Sequence, residues 1–298
     1  MRAASADPAA GSDFMLRVGA PSVFVLLWAS GYIVAKFTLG FAAPFTILLL
    51  RFAAVVAVML PLALVGRAAW PRDWRQIGHI AVVGFLLQGV YLGGIYAGLQ
   101  RGIPAGIMAL VMALQPILTA TVVGPLLGER VGPRQWAGLL LGFVGVALVL
   151  ASKIHFDFDG WLGLVFAALA VAGITAATLY QKRFCGSVDW RTGTIVQYAA
   201  AAIAIAPISF AEGIGRVEWA PQFLLAMAWI VLVLAVGTYN LFLWLIRKNA
   251  AARLTSFLYL VPPVTALAGF FMFGETLGLA ALFGMVLAGA GVYLVVRK

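Results

Sequence analysis

Charge is scarce in this chain. Only 10% of its 298 residues are Asp, Glu, Lys or Arg, and 64% are apolar. Soluble globular proteins run near about 25% charged and 45–50% apolar. A water-soluble body of this length needs far more polar surface to cover its core, so a soluble enzyme or a pair of soluble domains is excluded. Cysteine is almost absent. The single Cys185 cannot close an intrachain disulfide, and a lone thiol is no metal site. Two histidines, His79 and His155, are too few for a His-based cluster, so neither a metal nor a cofactor is expected. Acidic residues number ten, and all fall in tails, loops or the ends of apolar blocks. Proton-coupled pumps usually carry an intramembrane carboxylate as relay; none is visible, which favours a facilitative carrier. An integral-membrane enzyme fares poorly for related reasons. A Ser-His dyad needs a His at depth, whereas His79 sits near a block end and His155 in a loop.

The apolar residues arrive in blocks near the length of about 20 that crosses a hydrocarbon core. Hydropathy, with Gly, Pro and charge as punctuation, predicts spans near 18–36, 44–65, 77–99, 104–127, 134–151, 160–181, 192–210, 220–246, 251–273 and 278–296. Residues 1–17 read as a disordered cytoplasmic tail, with no convincing cleavage pattern after it. The expected fold is an all-α membrane protein of ten transmembrane helices. With the N-terminus cytoplasmic, fifteen of the twenty Lys and Arg lie on the inside, including Arg67, Arg72, Arg75, Arg130, Arg134, Lys182, Arg183 and Arg191. Cytoplasmic loops collect such residues. The net charge of +10 therefore needs no nucleic acid, and both termini are expected inside a bacterial inner membrane.

An internal repeat appears at an offset of 146. Lys36 maps onto Lys182, Thr46 onto Thr192, Pro61 onto Pro207, Pro116 onto Pro262, Gly128-Glu129 onto Gly274-Glu275, Gly138 onto Gly284 and Gly145 onto Gly291. The units are 18–152 and 153–298. Five spans per unit is an odd number, so the second must enter the membrane inverted. Inverted repeats belong to alternating-access transporters, whose substrate site lies near the midplane between the halves.

The sequence resembles the drug/metabolite transporter superfamily, in its ten-span EamA branch. The resemblance rests on Leu27-Trp28-Ala29-Ser30-Gly31 through Lys36, on Leu50-Arg51-Phe52, on Pro116 with Gly128-Glu129, and on Pro262-Pro263 with Gly274-Glu275. Within that branch the chain is most similar to bacterial YddG-type exporters. The resemblance implies export of amino acids, aromatic and other, or of related small metabolites. A broad drug or nucleotide-sugar carrier on the same fold is the alternative. The small multidrug members bind cations through a first-span Glu, and this first span has none.

The candidate cavity residues are uncharged. Met108, Met112, Gln115 and Thr119 share one face of the fourth span, and Gln88, Tyr91 and Ile95 one face of the third. Trp28, Thr175, Tyr239, Asn240, Trp244 and Tyr259 extend the set on other spans. Amides and hydroxyls can bond the polar ends of a small solute, and Met and aromatic walls take its apolar part. The competing role is polar glue between helices. Arg51 has two readings, a cation for a substrate carboxylate or a group that bonds helix-end carbonyls and locks the bundle. Its place in the general family pattern favours the lock. His79 lines an inner mouth or anchors its helix. Pro116 and Pro262 are hinges or static bends, and Glu129 and Glu275 read as structural. Small residues every four positions, Gly138 and Gly142 matched by Gly284 and Ala288, suit packing within the bundle or a homodimer.

Overall fold

The computed structural model describes residues 19–101, 103, 105–151, 161–186, 188–213, 216–248, 251–264, 266–267 and 278–297. The expectations for the tail 1–17, the 153–159 loop, His155 and Glu275, and for the side chain of Lys36, lie outside them. The described residues are helical, with no strand among them. The first helix, α1, runs Ala20–Thr38. It is followed by α2 (Pro44–Val65), α3 (Trp74–Gln100), α4 (Leu110–Leu127), α5 (Pro133–Leu150), α6 (Trp161–Phe184), α7 (Trp190–Glu212), α8 (Pro221–Lys248), α9 (Leu254–Val264) and α10 (Leu279–Val296). The eight from α2 to α8 and α10 are long and apolar enough to cross a membrane, and two shorter apolar stretches, Ala20–Gly31 and Leu254–Val264, join them.

Local chemistry sets the ends. Pro44, Pro133 and Pro221 open their helices, where a missing N–H costs nothing. Asp73 caps α3 by accepting from Arg75 N at 2.9 Å, and Asp189 caps α7 by accepting from Arg191 N at 2.9 Å. Gly128 ends α4 at φ 69°, a left-handed conformation that glycine adopts without steric cost. The surface carries apolar side chains such as Val65, Ile203, Leu225 and Phe283, as a wall facing lipid requires.

Packing follows the repeat. Moving every helix number by five maps the contacts onto one another: α5 packs on α10, α2 on α7 and α4 on α9, while α3 on α6 is matched by α8 on α1. Two of these pairs, α2 with α7 and α5 with α10, run antiparallel. Thr46 Oγ1 accepts from Ser209 Oγ at 3.3 Å near one end of the α2–α7 pair, and Gly66 O accepts from Arg191 Nη1 at 3.0 Å near the other. On α5 and α10 the small residues meet face to face. A β-carbon on Gly291 would fall 2.5 Å from Gly142 N and 2.6 Å from Gly138 O. Of the two uses open to these glycines in the sequence, the fold employs packing within one chain.

Local irregularities of the helix accompany both Pro116 and Pro262. The turn at 113–114 separates Ala105–Met112 from Gln115–Leu127, which restarts with Pro116 in its first turn. Proline removes the hydrogen bond to the carbonyl four residues back and crowds it. In α9 a 3-10 turn at Phe257–Leu260 precedes Pro262. The two irregularities occupy matching positions in the repeat.

Candidate functional site

A cavity of about 80 Å³ lies among α1, α2, α3, α7 and α8. Its lining includes Trp28, Arg51, Gln88, Tyr91, Tyr96, Tyr198 and Tyr239, with Leu87, Leu92, Ile95, Ile230 and Leu234 as apolar wall. Two helices reach it through widened turns. Phe85–Leu92 in α3 and Trp229–Thr238 in α8 are π-helical, a geometry that is frequent at functional sites. Thr238 Oγ1 donates to Val233 O, five residues back, at 2.9 Å. On α3 the pairs Leu87-Gln88, Tyr91-Leu92 and Ile95-Tyr96 all reach the cavity. They recur every four residues, a period that an ideal α-helix of 3.6 residues per turn would rotate by about 40° at each step. The wider turns hold one stripe on the cavity.

The polar groups fall into two sets. One is satisfied. Gln197 Nε2 donates to Gln181 Oε1 at 3.0 Å, and Gln197 Oε1 accepts from the Tyr239 hydroxyl. Gln88 reaches both Tyr239 and Tyr198. The other set is open. Arg51 Nε and Tyr198 Oη are buried and have no hydrogen-bond partner in bonding geometry among the described residues, although Arg51 sits against Tyr198. The bundle lock favoured for Arg51 in the sequence would need helix-end carbonyls, and no such bond is present among the described residues. Tyr198 is held edge-on between Phe52 at 5.6 Å and Tyr239 at 5.7 Å. Trp28 packs on Phe24 at 5.0 Å and Phe242 at 5.7 Å. The described acidic side chains are placed elsewhere. Glu129 pairs with Lys182 at 2.6 Å, Asp189 with Arg191 at 2.9 Å, and Glu212 Oε2 accepts from Phe45 N at 3.0 Å.

Of the sequence-derived wall, Trp28, Gln88, Tyr91 and Tyr239 line this cavity, and Arg51 joins them. The others lie elsewhere. Met108 and Met112 are packed in the core. Gln115, Thr119 and Tyr259 are buried away from the cavity, and Gln115 Nε2, Thr119 Oγ1 and Tyr259 Oη have no partner among the described residues. Thr175 donates to Val171 O at 2.7 Å within its own helix. Asn240 is engaged by Thr194 Oγ1 at 2.9 Å and donates to Val236 O at 2.7 Å. Trp244 is 42% exposed on the outside of the bundle, because α8 resumes ordinary turns at Tyr239 and its next face points away. His79 Nδ1 bonds the Tyr180 hydroxyl at 2.7 Å and its ring stacks on Phe184 at 4.8 Å, joining α3 to α6. Glu129, through Lys182, joins the end of α4 to α6.

Tyr198, Tyr96, Thr238 and the Gln181–Gln197 pair were not anticipated. The signal for Gln197 was present, since it stands 146 residues after Arg51, but unlike residue types hid the correspondence.

Among proteins of known sequence, the chain is 26% identical over 288 residues to the uncharacterized inner membrane transporter YedA of Escherichia coli K12, covering 94% of this chain and 92% of that one. It is 23% identical over 278 residues to an uncharacterized transporter of Archaeoglobus fulgidus, covering 92% and 95%. With the uncharacterized transporter YvbV of Bacillus subtilis it shares 26% identity over 166 residues, 54% of this chain, and it spans about half of that relative, 53%. A crystal structure superposes with a TM-score of 0.76 over 92% of this chain and 94% of the other at 21% identity, which is a likeness of fold. The EamA-like transporter family matches the chain twice, over residues 22–151 and 161–297. With both matched units covering nearly all of its described helices, the chain belongs to the EamA-like transporter family of membrane proteins.

Proposed function

We propose that the protein is a ten-span secondary carrier of the YddG type that exports amino acids or related small metabolites across the bacterial inner membrane. It works by alternating access between two inverted halves, 18–152 and 153–298, with both termini cytoplasmic. The observation that carries this reading is the cavity, whose walls come from both repeats and whose Arg51 Nε and Tyr198 Oη have no hydrogen-bond partner in bonding geometry among the described residues. Buried polar atoms are normally hydrogen-bonded, so two orphans facing one cavity suit a solute that supplies the missing bonds. Inversion is supported by the antiparallel pairing of α2 with α7 and α5 with α10; a parallel repeat would leave equivalent helices parallel. The matched irregularities at Pro116 and Pro262 give each half a place to bend. Of the residues first considered for the wall, Trp28, Gln88, Tyr91 and Tyr239 touch the substrate in this reading. Facilitative transport is supported by a cavity lining that holds no carboxylate among the described residues. One copy of the chain suffices, and a homodimer would have to use a surface other than the glycine faces of α5 and α10.

Uptake by purified protein in liposomes tests this, across amino acids, small organic acids, lipophilic drugs and nucleotides, with and without a pH gradient. Transport of a small metabolite on its own gradient is the expected result. Strict dependence on a proton or sodium gradient, or transport of drugs or nucleotides alone, would overturn it.

A further inference from the structure

The cavity's charge is one-sided. Among the described residues its lining holds one cation, Arg51, and no acid. The described carboxylates that could offset it are engaged at helix ends, Glu129 by Lys182, Asp189 by Arg191 and Glu212 by the Phe45 amide. Arg51 is half-buried with its Nε out of contact with solvent. A guanidinium without a counter-charge in such a place is costly, and its planar fork of donors matches a carboxylate. Beside it stands the Tyr198 hydroxyl, on a fully buried side chain with no hydrogen-bond partner in bonding geometry among the described residues. The remaining wall includes Gln88 and Thr238, and its aromatic and aliphatic part is formed by residues such as Trp28, Ile95, Ile230 and Leu234.

From this we infer that the carrier's preferred substrate is a small organic monoanion, a monocarboxylate with a short apolar body, rather than a zwitterion or a cation. The inference rests on reading this cavity as the transport site. The carboxylate takes Arg51 Nε and the Tyr198 hydroxyl as donors, and the apolar body faces Trp28 and the aliphatic wall. A zwitterionic amino acid satisfies Arg51 equally well, but its ammonium meets no carboxylate in the lining. An amine has no acceptor of opposite charge and is repelled by Arg51. The selection is therefore made against positive charge on the solute, not by the size of its body.

Three probes with the same branched skeleton separate these cases: 2-hydroxy-4-methylpentanoate (anion), leucine (zwitterion) and isoamylamine (cation). Calorimetric titration of the detergent-purified full chain is expected to rank the anion about tenfold or more above leucine, with no binding of the amine. Arg51→Gln is expected to weaken the anion by roughly ten- to hundredfold, the loss of a hydrogen bond to a charged group. Arg51→Lys, which keeps the charge and loses the fork, should fall between. Tyr198→Phe probes the same site without altering charge and should weaken the anion several-fold while leaving the fold intact. Leucine or the amine binding as tightly as the anion would overturn the inference, as would full affinity in folded Arg51→Gln protein. Displacement of the anion by equimolar inorganic phosphate would also overturn it, by assigning the site to phosphate. Counterflow in liposomes separates this from the carrier reading: leucine transported indifferently to Arg51→Gln sinks the anion preference alone, and no transport of any small solute sinks the carrier.

Discussion

Arg51 and Gln197 stand 146 residues apart, at equivalent places in the two repeats, yet the fold treats them in opposite ways. Gln197 is 1% exposed in α7 and is fixed at both ends, giving a hydrogen to Gln181 and taking one from Tyr239. Arg51 reaches the cavity from α2 with its Nε unpaired. A duplicated scaffold has thus kept one position as internal bracing and left the other exposed to whatever enters. Symmetry of backbone does not require symmetry of chemistry, and the side that breaks the symmetry is the one to look at for a ligand.

The largest test makes the halves alike. Gln197→Arg places a second guanidinium where every neighbour is already engaged, and a buried charge without a partner costs about 3–5 kcal/mol. Thermal unfolding in detergent should show a large fall in Tm, whereas Arg51→Gln should leave Tm unchanged or raise it. Equal losses in the two variants would erase the distinction between bracing and site.

A smaller effect tests the frame on which both positions are mounted. Gly291→Leu forces side-chain atoms into the backbone of α5, and overpacking of this kind costs about 1–3 kcal/mol. Lower yield of monodisperse protein is expected, with the solute preference of the surviving fraction unchanged. A changed preference would mean that α5 and α10 form part of the site.

Finer still is the contrast between two neighbouring tyrosines. Tyr239→Phe strips a donor from Gln197 and should cost about 1 kcal/mol of stability. Tyr198→Phe removes a hydroxyl that has no partner in bonding geometry and should be neutral in the same unfolding assay. Reversal of that order would show that Tyr198 is the structural member of the pair.

The smallest predicted effects concern the cytoplasmic ends inferred from charge. Arg191 beside Asp189 holds that carboxyl below its ordinary value. The cap therefore contributes fully above about pH 4, the unfolded value for Asp, and is lost as pH falls through the lower folded value. Asp189→Ala should cost about 1 kcal/mol at neutral pH, and the difference from the parent should vanish in strong acid. Nearby, burial pushes the Cys185 thiol up to about 11. It should resist maleimide at neutral pH from either side of the membrane until the protein is unfolded. Arg134→Cys, at an exposed position, should in contrast label only in inverted vesicles. Labelling from outside would reverse the assigned orientation.

Much of the frame was legible because it depends on composition and rare residues. Apolar blocks gave the helices, and matched Pro, Gly, Lys and Glu gave the repeat. Matched Pro116 and Pro262 gave the two irregular turns. The cavity was legible only in part. Trp28, Gln88, Tyr91 and Tyr239 were found on faces drawn with 3.6 residues per turn, but nothing in that periodicity reveals a π stretch, which re-aims the residues beyond it. Trp244 stands five residues beyond Tyr239 in ordinary helix, about 140° round the axis, and so lies on the outer face. Tyr198 was missed because no residue of α7 had been assigned to the wall. Gln115, Thr119 and Tyr259 were assigned to the wall but are buried outside the described cavity, because sequence spacing does not say which interior region a face addresses.

The widened stretches of α3 and α8 also bear on how such a molecule can move. Each wide turn stores slack, because it uses more residues to advance around the axis than an ordinary turn does. Tightening one to the common pitch would turn the side chains on one side of it against those on the other, like a screw given a fraction of a revolution, and would lengthen the helix slightly. Because the two stretches sit at corresponding positions and address one cavity, a small winding of both would sweep Gln88, Tyr91, Leu234 and Thr238 past Arg51. Such winding would rearrange the walls of the cavity mainly by rotation, with only a small shift along each helix axis.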